Sequence, residues 1–137
     1  MKKYLNLSLA YAIAAMVGGV FYREFTKYSG FTGVTALGKV HIHLFLLGML
    51  VFLVVALYGA HNDLRKIKTF CAFLWTYNIG VPLTAIMLAV HGVAQVRGMA
   101  LSAAANASIS GIAGIGHILT GIGIILLPLS FRKLTKN

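Results

Sequence analysis

KVHIHLFLLGMLVFLVVAL, residues 39–57, is the stretch on which the fold turns. An apolar run of about 20 residues crosses a bilayer as a helix. Two histidines, His41 and His43, interrupt this run near its Lys39 end, and an imidazole in hydrocarbon costs free energy unless something binds it. Three further apolar runs accompany this one. The four expected spans are about Tyr4–Tyr22, Val40–Ala60, Thr69–Val96 and Ile109–Leu129. Of 137 residues, 59% are hydrophobic and 10% charged, so the apolar surface exceeds what a water-soluble domain of this size could bury. Lipid cannot hydrogen-bond the backbone, which favours helices. The expected fold is therefore all-α: one transmembrane domain over residues 1–137, with four helices in an antiparallel bundle or arc.

The net charge of +10 does not indicate nucleic acid, because the cations sit at span ends and form no basic helix. Lys2, Lys3, Arg65, Lys66, Lys68, Arg132, Lys133 and Lys136 fall on one side of the membrane, against Arg23, Lys27, Lys39 and Arg97 on the other. The excess of Lys and Arg marks the cytoplasmic side. Both termini are then expected in the cytoplasm, in a bacterial cytoplasmic (inner) membrane. The opening MKKYLNLSLAYAIAA has signal-peptide character but is read as the first span.

In this orientation His41 and His43 lie in the outer part of the second span. His91 falls ~8 Å from the outer end of the third, and His117 ~12 Å from the start of the fourth, at 1.5 Å per residue. The fifth histidine, His61, closes the second span beside Asn62 and Asp63 and reads as interfacial. A histidine alone on a span can simply hydrogen-bond a neighbouring helix, and this holds for His91 and His117. The His41/His43 pair is different because of its spacing. Residues two apart on a helix differ by about 200°, so the two imidazoles serve separate sites and cannot chelate one ion. Below His41, Phe45, Gly48 and Phe52 share a face, and Gly48 omits a side chain where a flat ring could lie. An apolar wall with one imidazole suits a porphyrin.

The other spans carry polar or small residues in stripes. Tyr4, Ser8, Tyr11, Ala15, Gly18 and Tyr22 line one face of the first, and Tyr77, Thr84, His91 and Gln95 one face of the third, with a kink expected at Pro82. Ser110, Gly114, His117 and Gly121 share a face of the fourth, where small residues are expected to pack against a neighbouring helix. Glu24 and Asp63 are the only acids, which leaves no carboxylate pair for hydrolysis and no intramembrane carboxylate for a proton relay. The single cysteine, Cys71, rules out an intrachain disulfide and a CxxCH heme attachment.

HIHLFLLGMLVF resembles the tenth helix of the catalytic subunit of heme–copper oxidases, although Met49 follows Gly48 where that pattern has the reverse order. The resemblance implies that His41 and His43 are axial heme ligands on opposite faces. That subunit builds twelve helices from three arcs of four. The resemblance therefore implies a homotrimer of four-helix chains, with one heme between His41 of one protomer and His43 of the next. Arg23, Lys27, Lys39 and Arg97 would be candidate partners for the heme propionates. The chain lacks the adjacent histidines and the His–Tyr helical pair of the oxidase copper site, which puts oxygen reduction in doubt. KKYLNLSLAYAI, GGVFYREFTKYSGFTG and HIHLFLLGM are also similar to segments of a family of short, four-span bacterial membrane proteins of unassigned function.

The functional expectation is non-covalent binding of heme b, serving electron transfer or redox sensing, with quinol or another redox partner as the candidate donor. If the chain is an enzyme at all, it is an oxidoreductase. One alternative is a copper or zinc protein using histidines of neighbouring helices, His91 and His117 together with His41 and His43. Another is a channel, transporter or structural oligomer whose histidines only hydrogen-bond.

Overall fold

A computed structural model describes residues 1–134, so Lys136 of the charge count lies outside the described residues. Four helices are long and apolar enough to cross a membrane: α1 (Lys2–Tyr28), α2 (Leu37–Tyr58), α3 (Lys68–Val96) and α4 (Ala103–Leu134). A single 3₁₀ turn, Leu64–Lys66, leads into α3. Among the described residues there is no strand.

The helices run past the apolar windows because polar residues outside hydrocarbon can continue a helix. Local caps set the ends. At the end of α1 the Gly30 N–H donates to the Lys27 carbonyl and the Phe31 N–H to Thr26. At the end of α3 the Gly98 N–H donates to Gln95 and the Met99 N–H to Ala94. Both glycines have positive φ, 61° and 62°, which completes a Schellman cap that other residues adopt poorly. The Ser102 side chain accepts from the Ala105 N–H at 3.1 Å and starts α4.

The helices pack in chain order: α1 on α2, α2 on α3, α3 on α4. One end of the arc gathers Tyr4 against Phe70, Ser130 against Thr69, and Tyr58 stacked on Phe131 at 4.0 Å. At the other end the Thr35 hydroxyl donates to the Gly92 carbonyl at 3.0 Å and the Ala36 N–H to the Gln95 side chain at 2.7 Å. These pairings require successive helices to alternate in direction. The α1 stripe faces protein: Tyr4, Ser8, Tyr11 and Ala15 are all buried.

The middle of α2 is not α-helical. Leu44–Leu50 forms a π-helical segment between α-helical turns at Leu37–His43 and Val51–Tyr58. A wider turn loosens the carbonyl ladder, and a side chain from α1 compensates: the Ser8 hydroxyl donates to the Met49 carbonyl at 2.8 Å.

The α3–α4 contact depends on missing side chains. A Cβ on Gly80 would stand 2.5 Å from the Thr120 nitrogen, and one on Gly116 would stand 2.7 Å from the Thr84 hydroxyl oxygen. The expected packing stripe of α4 is thereby corrected. Gly116, Thr120 and Gly123 face α3, whereas Cβ atoms on Gly114 or Gly121 would meet nothing within 4 Å. The helix carries two rows of glycines seven residues apart, 116/123 and 114/121, and only one row can face α3.

Candidate functional site

His41 and His43 both belong to the α-helical first part of α2, before the π-helical segment begins, so they diverge as regular helical spacing dictates. His41 turns toward α1. Its ring lies over Tyr22, with centroids 6.3 Å apart and planes at 16°. Gly19 of α1 lies beside it, where a Cβ would stand in ordinary contact with His41 at 3.6 Å. The His41 Nδ1 is buried without a hydrogen-bond partner.

His43 turns the other way, toward α4. Its Nδ1 donates to the Lys39 carbonyl at 2.9 Å. Its ring meets that of His117 at 6.2 Å between centroids, with planes at 86°. The His117 Nδ1 likewise donates to the Ala113 carbonyl, at 2.8 Å. A carbonyl can only accept, so the proton sits on Nδ1 in both rings, and in the neutral form Nε2 keeps its lone pair. Tying one ring nitrogen to a backbone carbonyl is how metal-binding histidines are commonly oriented.

The family model described as a protein of unknown function, DUF2871, matches residues 1–134. The chain belongs to this family. No curated protein and no solved structure matches it.

In this DUF2871 chain a flat ring does lie over Gly48, and it is Tyr11's: a Cβ on Gly48 would collide with that ring. Tyr11 in turn stacks on Phe52 at 5.6 Å and 6°, and Phe52 is fully buried against Phe73 and Tyr77. Phe45 stays half-buried beside the core. The room below His41 is thus filled from within the chain, whereas the His43 face meets an exposed helix surface at His117.

Arg23, Lys27, Lys39 and Arg97 are all exposed. Arg23 lies 3.8 Å from Glu24, and the Arg97 guanidinium sits 6.0 Å from the centre of the Phe25 ring. Lys39 is on the turn that anchors His43. His91 is half-buried next to Gly92, and the ring that His117 meets is that of His43. Because α4 begins at Ala103, His117 is about 21 Å along its helix. Among the described residues no group of three or more His, Cys, Asp or Glu is arranged to hold a metal ion. An apolar cleft of about 550 Å³ opens between α1, α2 and α3, lined by Leu7, Tyr11, Leu44, Asn78 and Pro82 among others.

Sequence spacing located the two directions of the α2 histidines but not the meeting of His43 with His117. No periodicity rule connects residues on helices that are not consecutive.

Proposed function

We propose that this protein binds heme b non-covalently through the α2 histidines and serves electron transfer or redox sensing in the bacterial cytoplasmic membrane, with both termini cytoplasmic. The observation that supports this best is the state of His43. Its Nδ1–H is engaged by its own helix, so its lone pair is directed away from α2 on an apolar span. Bound heme b would supply a one-electron iron couple, and a His-held iron is tuned by its second ligand and by burial.

The chain's own residues do the rest. Helix α2 holds the two imidazoles apart, so each needs a counterpart from elsewhere, either another helix or the neighbouring chain of a homotrimer. The lipid-facing helices exclude water. Lys39 sits one turn from His43 and can pair with a propionate, as a carboxylate near hydrocarbon requires.

The test is an absorption spectrum of the protein purified in mild detergent, oxidised and dithionite-reduced. A Soret band with sharp reduced α and β bands, lost in His43→Ala, is the expected result. A wild-type protein that stays colourless after expression with ample heme would refute the reading, and metal analysis of the same sample would then test for copper or zinc.

A further inference from the structure

We infer that His117 is the second axial ligand of the iron held by His43, so that one chain supplies both. This rests on the heme reading above and goes beyond it by naming the ligand pair. The pair does not follow from the oxidase resemblance, which points to a neighbour's His41.

Three observations carry it. First, both rings are anchored in the same manner, each Nδ1 to a carbonyl four residues back on its own helix. That leaves two Nε2 lone pairs on facing helices. Second, the separation fits. With metal–imidazole bonds of about 2.0 Å and each ring centre roughly 1 Å behind its nitrogen, two imidazoles opposed across one ion stand roughly 6 Å apart. The observed centroids are 6.2 Å apart. Third, the wall is bare. Gly114 and Gly121 lie one turn to either side of His117, and a side chain at either would meet nothing within 4 Å. The face of α4 that carries His117 is therefore free of protein above and below the imidazole.

The competing ligands are less well placed. His41 lies under Tyr22 with its Nδ1 buried on the α1 side. His91 is on α3, and no ring contact of His91 is found among the described residues, whereas His43 and His117 already face each other. A trimer is then not needed to complete the iron's coordination.

The experiment uses the full chain in detergent, loaded with heme, and compares wild type with His117→Ala, His117→Met and His41→Ala. Low-temperature EPR of the ferric protein and carbon monoxide binding to the reduced protein report the coordination. Wild type and His41→Ala are expected to be low-spin and closed to carbon monoxide. His117→Ala should lose the low-spin signal entirely, bind carbon monoxide, and recover the wild-type spectrum when imidazole is added. His117→Met should stay six-coordinate with a raised potential, since a His/Met pair favours the reduced iron, and this guards against simple misfolding. A low-spin His117→Ala protein, or high-spin conversion by His41→Ala alone, overturns the assignment and leaves the heme reading standing. A wild type that takes up no heme overturns both.

Discussion

Replacing Gly80 by Ala tests whether α3 and α4 are held together by backbone proximity. The new methyl would sit 2.5 Å from the Thr120 nitrogen, 2.7 Å from its hydroxyl oxygen and 3.0 Å from the Gly116 carbonyl oxygen. Ordinary contact begins near 3.4 Å, so the helices must part by nearly an ångström. Thr120 cannot simply swing aside, because its hydroxyl already donates to the Gly116 carbonyl at 2.8 Å. Overpacking of this kind costs about 1–3 kcal/mol, roughly a 5- to 160-fold drop in the ratio of assembled to dissociated bundle. Helices in detergent persist after they separate, so the ~1 kcal/mol helix-propensity gain of Ala over Gly does not offset it. Gly111→Ala is the control, since a Cβ there meets nothing within 4 Å. The assay is SDS titration in a mild non-ionic detergent, followed by the near-ultraviolet circular dichroism of buried Tyr11 and Tyr77. Gly80→Ala should shift the midpoint to lower SDS, and Gly111→Ala should not. Equal midpoints for the two variants would refute the packing argument.

Two further predictions concern the α1–α2 contact. Ser8→Ala removes the donor to the Met49 carbonyl and should cost about 0.5–1.5 kcal/mol, read as a lower SDS midpoint together with faster amide exchange confined to Leu44–Leu50; unchanged exchange there would dissociate Ser8 from the π-helical turn. Tyr11→Ala opens a void between Gly48 and Phe52 and should cost about 3–5 kcal/mol, whereas Tyr11→Phe keeps the ring that makes both contacts and should change stability by less than ~1 kcal/mol. Similar losses from the two Tyr11 variants would show that the hydroxyl, not the ring, supports the contact.

The number and class of helices could be read from apolar length, because hydrocarbon leaves the backbone few options. The α1 stripe from Tyr4 to Tyr22 was equally legible, since polar side chains at helical spacing avoid lipid. The glycines of α4 were ambiguous for a definite reason: rows 114/121 and 116/123 have the same spacing, and only the partner helix distinguishes them. The opposed directions of His41 and His43 followed from two residues of spacing. The π-helical turn left no local mark, because the groups that meet it, Tyr11 and Ser8, are on another helix. His43 meeting His117 is likewise a tertiary fact, produced by the arc bringing α2 back to α4.

The π-helical segment makes α2 one residue longer than an α-helix needs to be to present the same faces. Between His43 above it and Phe52 below it, an added or lost residue in a regular helix would turn one end against the other by about 100°. Here the wide turn has already absorbed such a step. Removing one residue from 44–50 would let the segment relax to α-helix while His43 still faced α4 and Phe52 still faced Tyr11. The same deletion a turn further along, within Val51–Tyr58, has no slack to draw on and would rotate Tyr58 off Phe131. Chain-length variation in this span is therefore tolerable in one turn and disruptive in the next.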